Sequence, residues 1–586
     1  MAPKSVSSFL WKHIKPYKWS YALMLMAPIL GGLYPMVGSY FLKIFINTIS
    51  KSKIEYYDFV FPVAILLGNE LFVHLIFRTS TIIASRTQPK VRSGILLDAY
   101  SYLQHHSYRF FQNNFSGTIN TKIKGLLDGY NRFWEDMQYG LFLKTTRLIF
   151  CLAGLLWAHQ LLGGLVLAWG IAFSIIMHKL YSGQHRKIVY EETQSSEKCL
   201  GRIGDRIANI NTILSFATHD RELAYLKKEL YGTYIPKQTR HYKSSLFISF
   251  VGSVLSFVAV FGFVSLLMWL AKNKLLNAGE IAFVGGLMFK FWSTLWGWIG
   301  HLSSFSKAMG NLKSSMSILK EAQEERDLPS AKPLKVEKPT VTFKNVSFTY
   351  GDTSKEIFEN FNLTIKPGEK IGLVGSSGAG KSSLVKLLLR YFSCDSGEIY
   401  IDGQEISQVT QKSLRDQIAI VPQDTTLFHR SILENIVYGK PDATKEEVIK
   451  ACKEAQIHDE IMALPRRYKG SAGEGGSKLS GGQKQRLIIA RALLKLKRAS
   501  ILILDEASAA LDSENEKALD RLISKTQKTV IAIAHRLPTI RNMDRIIVLE
   551  NGKIIEEGTH TSLLAQAGSR YSKWWNHQVM ANGPQD

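Results

Sequence analysis

The sequence has little cysteine. Its 586 residues include four, Cys151, Cys199, Cys394 and Cys452, with no C-x-x-C spacing among them. That excludes a disulfide framework and a thiolate metal site, and the thiols read as reduced and structural. Acidic residues are also in short supply, 49 against 73 Lys and Arg, for a formal net charge of +24. Such an excess could serve nucleic acid, but it is unevenly placed. Residues 1–330 carry about 36 of the basic residues and only 19 of the acidic ones, and this half also holds the long apolar runs. Basic residues flanking apolar spans suit anionic lipid head groups, not nucleic acid. The basic N-terminal stretch Met1–Trp19 lacks a small-residue cleavage site after a short apolar core. It reads as the approach to a retained membrane helix. Long heptad repeats are lacking as well.

What is present begins with six apolar stretches long enough for a bilayer, which takes about 20 residues: Trp19–Asn47, Tyr57–Ser85, Gln138–Trp157, Leu161–Leu180, Ser244–Ala271 and Ala278–Leu302. Pro28 and Pro35 inside the first are expected to bend it. The segments Arg86–Asp136 and Lys179–Lys243 are long, polar and basic, whereas the connections Lys51–Asp58 and Lys272–Gly279 are short. The positive-inside rule places both long segments and both termini in the cytoplasm. The spacing of Ile203, Ile207, Ile210, Ile213 and Leu214 predicts that the membrane helices continue into these segments.

Polar residues inside the spans are expensive in lipid and mark either a substrate pathway or internal pairing. They are Asn69, Glu70 and His74 in the second, Lys144 and Arg147 in the third, and Lys290 in the sixth. Glu70, Lys144, Arg147 and Lys290 are the candidates for substrate contact. Phe291, Trp292, Trp296 and Trp298 around Lys290 read either as a cavity lining or as helix packing.

The charged, proline-containing stretch around Pro329, Pro333 and Pro339 marks a boundary. The expected division is 1–325 for the membrane domain, 326–340 for a linker and 341–586 for an α/β domain. Inside the last, the apolar run Ile371–Val374 is followed by a turn of Gly375, Ser376, Ser377, Gly378, Ala379 and Gly380. Lys381, Ser382 and Ser383 then open an apolar helix. This is G-x-x-x-x-G-K-[ST] between strand and helix, which argues against an ordinary Gly/Ser loop. Its backbone N–H groups and helix N-terminus suit phosphate oxygens, Lys381 can reach the β- and γ-phosphates, and the Ser382 hydroxyl suits Mg²⁺. Further on, Ser480, Gly481, Gly482 and Gln483 open a second helix and form a second anion cradle. The buried run Ile501–Leu504 then ends in Asp505, placed for Mg²⁺, and Glu506, placed to polarise an attacking water.

Taken together, these residues resemble the ATP-binding cassette (ABC) family, over the whole chain. Six spans followed by one cassette look like an exporter-type half-transporter, similar to bacterial lipid flippases and multidrug exporters. The implied fold is a six-span helical domain with long cytoplasmic extensions, followed by an α/β P-loop ATPase domain. The resemblance further implies that Tyr350 stacks on adenine, that Gln423 lies near Mg²⁺ and the membrane-domain contact, and that Ser508–Asp512 is the D-loop, with Asp512 at the nucleotide. It makes His535 the switch histidine at the γ-phosphate. Gly473–Gly476 is similar to the exporter X-loop, without its usual arginine. The stretches near Phe111–Gly117 and Phe216–Arg221 correspond to the coupling helices.

Implied with these are ATP and Mg²⁺, and a partner cassette whose Ser480–Gln483 loop closes over the γ-phosphate. A single cassette per chain favours a homodimer of twelve spans over a heterodimer. The expected activity is ATP-driven export or flipping of an amphipathic substrate: a lipid or lipid-linked glycan, or else a drug or peptide. The expected setting is a bacterial inner membrane, with lipids as partners and no nucleic acid. An ATP-gated channel or a ligand-sensing receptor is the alternative on the same scaffold, though such proteins usually show degraded catalytic positions. A DNA-repair ATPase would need heptad repeats and no spans. An importer usually keeps spans and cassette on separate chains.

Overall fold

The computed structural model describes residues 5–50, 55–114, 116–321, 326–351, 356–505, 523–524, 526–533 and 540–582. Glu506, Ser508–Asp512 and His535 lie outside them. The chain divides into two compact units, residues 1–104 with 116–321, and residues 105–115 with 322–586.

The first unit is helical. Among the described residues, five stretches are long and apolar enough to cross a membrane: Val6–Ile49, Tyr57–Leu103, Gly117–Ala158, Gln160–Ala208 and His219–Lys272. The sixth expected span falls within the continuous helix Ala278–Ser315, which Glu280 and Lys290 make less apolar. The 47-residue helix Tyr57–Leu103, at 1.5 Å per residue, is about 70 Å long, more than twice the hydrocarbon thickness. The spans therefore run on into the polar segments, as expected. Three of them widen into a π-helical turn on the way, at Asp136–Phe142, Tyr181–His185 and Leu230–Tyr234.

Pro28 and Pro35 both lie inside the unbroken helix Lys18–Ile49. A proline at 28 deprives the Met24 carbonyl of its i+4 donor, a loss that lipid cannot repair. Ser80 Oγ and Gln138 Nε2, each at 3.3 Å, donate to that carbonyl instead. Gln138 Nε2 also donates to Ser80 Oγ at 2.9 Å. The first three spans are thus tied together at the point where the first one lacks a bond. A second set of contacts is apolar. Cys151, Leu155, Leu162, Phe173, Phe263, Leu287 and Phe291 pack between the third to sixth spans. Other apolar side chains stay outside this core, such as Leu67 (68% exposed), Phe257 (72%) and Met268 (69%), a distribution suited to lipid.

The second unit is the α/β cassette. Strand β1 (Val341–Thr349) pairs antiparallel with β2 (Glu356–Ile365) and with β4 (Ser396–Ile401), and β5 (Gln404–Glu405) completes this sheet. A second sheet has the order β10-β9-β3-β8-β7-β6. Here β3 is Lys370–Gly375, β6 Ile418–Val421, β7 Ile501–Asp505, β8 Thr529–Ile533, β9 Arg545–Glu550 and β10 Lys553–Gly558. Strands β9, β3, β8, β7 and β6 run parallel. Their side chains alternate between two apolar clusters, one per face: Ile371, Leu373, Ile501 and Ile503 on one side, Val374, Leu502 and Leu504 on the other. Burial of both faces explains the near-continuous apolar runs in these strands.

Residues 326–340 run along the cassette. Lys332 bridges to Val409, and Leu334 N donates to Ser413 Oγ at 2.8 Å. The four cysteines are free, and Cys151, Cys199 and Cys452 are buried.

Candidate functional site

In an open parallel sheet, ligands bind beyond the carboxyl ends of the strands, where loops and helix N-termini converge. The parallel register brings those ends together. Val421 of β6 is paired with Leu504 of β7, and Asp505 of β7 with Ile533 of β8, which is itself paired with Leu373 of β3. The expected site residues are drawn from these ends. Gly375–Gly380 follow β3, Gln423 follows β6, Asp505 closes β7, and in sequence Glu506 follows β7 and His535 follows β8.

The turn after β3 needs its glycines. Gly378 has φ +83° and Gly380 φ +107°, where a side chain costs about 1–2 kcal/mol. At Gly380 a Cβ would also press on the Phe358 ring at 2.9 Å. The turn delivers Lys381 as the first residue of the helix Lys381–Leu388. Lys381 is 5% exposed, and its Nζ donates to the carbonyls of Gly375 at 2.8 Å and Ser376 at 3.0 Å. The ammonium is therefore folded over the mouth of its own loop, where phosphate oxygens could take over those bonds. Ser376, Ser377 and Gly378 are exposed around it, while Ala379 and Ser383 are buried.

One residue on, the Ser382 hydroxyl donates to Asp505 Oδ1 at 3.5 Å. A hydroxyl facing a carboxylate gives hard oxygen donors of the kind Mg²⁺ accepts alongside phosphate oxygens and water. Among the described residues no group of three or more His, Cys, Asp and Glu could hold a metal by itself. The pair thus fits Mg²⁺ held jointly with a nucleotide better than a closed structural site. Gln423 is exposed two residues beyond β6.

Tyr350 lies beside this helix. Its hydroxyl is 3.0 Å from Ser383 Oγ, and its ring meets Phe348 and Phe392 edge-on at 4.9 and 5.2 Å.

The Ser480–Gln483 stretch caps the helix Gly481–Leu496. Gln483 N donates to Ser480 Oγ at 3.2 Å and Ser480 N to Gln483 Oε1 at 3.0 Å, a reciprocal box worth about 1 kcal/mol. Gln483 Nε2 donates to Glu460 at 2.9 Å, and Glu460 also pairs with buried Arg486. Glu460 is a support the sequence did not mark, because it stands 23 positions away on another helix. Ser480 and Gly481 remain exposed at the helix N-terminus. The buried residues of this helix belong to one sheet-face cluster, and those of the Lys381 helix to the other. Gly473–Gly476 turns sharply just before this helix, with positive φ at Gly473, Gly475 and Gly476 and Glu474 exposed.

The segment expected to dock near Phe111–Gly117 is a helix over Tyr108–Asn113, started by Ser107, whose hydroxyl accepts from Phe110 N at 3.3 Å. It clusters with the cassette, and the Tyr108 ring stacks on Tyr391 at 4.6 Å. The stretch near Phe216–Arg221 joins two helices of the first unit, with Phe216 exposed.

Within the spans, Glu70 is partnered by the Tyr34 hydroxyl and by His74 at 3.6 Å, and Asn69 Nδ2 donates to the Tyr34 carbonyl at 3.2 Å. The cations differ. Lys144 lies against Gly297, where a Cβ would stand 2.5 Å from its Nζ. Arg147 Nε is buried without a hydrogen-bond partner. The aromatics near Lys290 are packed between helices. Trp292 stacks on Trp169 at 3.8 Å, Phe291 is buried, and Trp298 Nε1 donates to Thr145 at 3.0 Å.

Comparison with known proteins agrees with this geometry. Residues 21–293 match the model of the ABC transporter transmembrane region, and residues 358–509 match that of the ABC transporter. An uncharacterized ABC transporter ATP-binding protein of Haemophilus influenzae is 37% identical over 80% of this chain and 77% of its own. A putative multidrug export ATP-binding/permease protein of Staphylococcus aureus is 31% identical over 95% of this chain and 97% of its own. The solved structure of a bacterial Atm1-family ABC exporter with ATP bound superposes with TM-score 0.83 at 26% identity, covering 96% of this chain and 99% of that one.

Proposed function

This chain belongs to the ABC transporter family, with a membrane-embedded helical domain and an ATPase cassette that couples hydrolysis to transport, and we propose that it works as a homodimer exporting an anionic amphipathic substrate. On this reading residues 1–325 form the membrane domain, 326–340 the linker and 341–586 the cassette. The setting is a bacterial inner membrane, with the cassette in the cytoplasm. The nucleotide site rests on the Ser382 hydroxyl facing Asp505 at 3.5 Å one residue after Lys381, and the substrate class rests on the buried, unpartnered Arg147 Nε.

Lys381 and the N–H groups of Gly375–Ser383 would bind the phosphates, and Tyr350 the adenine. Ser382, Asp505 and Gln423 would hold Mg²⁺, which neutralises phosphate charge when bound. Glu506 would orient and deprotonate the attacking water, with His535 at the γ-phosphate and Asp512 beside the nucleotide. Ser480, Gly481, Gly482 and Gln483 stand at an exposed helix N-terminus packed on the other face of the sheet from the Lys381 helix. They would serve the partner's nucleotide, so that ATP holds two cassettes together and hydrolysis releases them. The segment 105–115, covalently continuous with the Tyr57–Leu103 helix, would pass that motion to the spans, with Glu474 assisting.

Arg147 supports an anionic head group, since a buried guanidinium nitrogen without a partner is costly unless a ligand supplies one, and Lys144 and Lys290 would add further positive charge within the spans. Glu70, already partnered, is the weaker contact candidate. The test is ATPase stimulation of the purified protein in vesicles across anionic lipids, peptides and cationic drugs. Stimulation by anionic amphipaths is expected. Stimulation by cationic drugs alone would overturn the substrate class, and ion conductance on ATP addition in planar bilayers would establish a channel instead.

A further inference from the structure

Lys386, on the same helix as Lys381, stands between two aromatic rings. Its Nζ is 5.8 Å from the centre of the Tyr350 ring and 5.9 Å from that of Tyr108. Tyr108 belongs to the segment 105–115, which leaves the membrane domain and clusters with the cassette. Its ring lies flat on Tyr391, with 8° between planes, and meets Phe392 edge-on at 6.1 Å. Phe392 in turn meets Tyr350 at 5.2 Å. Tyr350 and Tyr108 therefore share one cation and one aromatic neighbour. Arg109 closes the same side, with its guanidinium against Gly351, where a Cβ would stand 2.7 Å from Nη1. Burial pushes the Tyr391 phenol above its ordinary pKa, so the platform under Tyr108 is neutral at physiological pH.

The geometry points to Lys386 and Tyr108 as positioning residues that couple recognition of the nucleotide base to docking of the 108–113 helix. The inference rests on the reading of Tyr350 as the base platform. A purine stacked on Tyr350 changes the field and the space available to the Lys386 ammonium. Both distances already stand close to the roughly 6 Å reach of the attraction, so a small displacement of the ammonium toward one ring can carry it out of range of the other. Whatever the base does to the contact with Tyr350 must then bias the contact with Tyr108, and linkage makes the effect reciprocal: docking of Tyr108 alters the affinity for the base. Phosphate binding by Lys381 stands outside this exchange. The base would thereby report its presence to the membrane domain by a route separate from the γ-phosphate.

The test uses the full-length dimer in lipid nanodiscs. Affinities for Mg·ATP and for Mg·tripolyphosphate, which has no base, are measured by competition against a fluorescent nucleotide. The proposal expects Tyr108→Leu and Lys386→Met each to change the ATP affinity about two- to fivefold with tripolyphosphate unaffected. Tyr108→Phe should restore the wild-type ratio, and the double variant should be no worse than either single one. Equal shifts for both ligands would mean a merely structural role and would overturn the proposal, as would an unchanged ratio. Tyr350→Leu separates the two failures. If it changes the ratio while the Tyr108 and Lys386 variants do not, the coupling alone is wrong. If it also leaves the ratio unchanged, the base platform is wrong and the coupling falls with it.

Discussion

The cassette and the membrane unit answer to different solvents, and their residues are constrained in different ways. In the cassette a polyanion must be held, so particular residues must occupy particular positions: glycines at positive φ, a lysine at the helix start, a hydroxyl facing a carboxylate. In the membrane unit the bilayer asks only for length, apolarity and satisfied backbone groups. Many sequences meet that demand, and the few polar exceptions carry the specific information. Chemistry is thus written residue by residue in one half and by composition in the other.

Substitutions can break this contrast or sharpen it. The largest effect is expected at Glu506. Glu506→Gln should lower steady-state ATP turnover about 10²- to 10⁴-fold while Mg·ATP still binds, as read by phosphate release beside nucleotide binding. Wild-type turnover would remove Glu506 from its role. Lys381→Ala should weaken binding of the triphosphate itself and reduce turnover by about 10²-fold or more, a loss that Lys386→Met should not reproduce.

Ser480→Ala comes next. It removes a helix cap worth about 1 kcal/mol and, on the proposed dimer, a donor to the partner's nucleotide, so a roughly tenfold drop in kcat is expected, with nucleotide affinity less affected. In the membrane unit, Arg147→Gln should abolish most of the stimulation by anionic amphipaths, and stimulation retained at wild-type strength would reduce Arg147 to a structural cation. The smallest change is Ser80→Ala, which leaves the Met24 carbonyl with Gln138 alone. Polar contacts of this kind in membranes average about 0.6 kcal/mol, so a small fall in melting temperature with unaltered ATPase is expected.

The same contrast governs what could be read from sequence. The turn after β3 and the Ser480–Gln483 cap are local patterns, and the structure reproduces their geometry at the expected residues. The spans were legible because apolar length is additive along the chain, and only the sixth, diluted by Glu280 and Lys290, drops below its neighbours. Contacts between distant positions were not legible. Nothing in the sequence announces that Ser80 and Gln138 repair the bond lost at Pro28, or that Glu460 steadies Gln483. The helix at the first expected coupling stretch begins at Tyr108, three residues before that stretch, because Ser107 caps it. In the sequence Lys386 is one more basic residue on a helix, and its approach to the Tyr350 and Tyr108 rings arises only on folding.

The central claim is that each nucleotide pocket is completed by the opposite copy. Co-expression of Lys381→Ala with Ser480→Arg tests it most directly, since each variant alone spoils every pocket while a mixed dimer keeps one intact. The account predicts that the purified mixture recovers ATP turnover, up to about a quarter of the wild-type rate for random pairing. A mixture no more active than the two variants measured separately would contradict it.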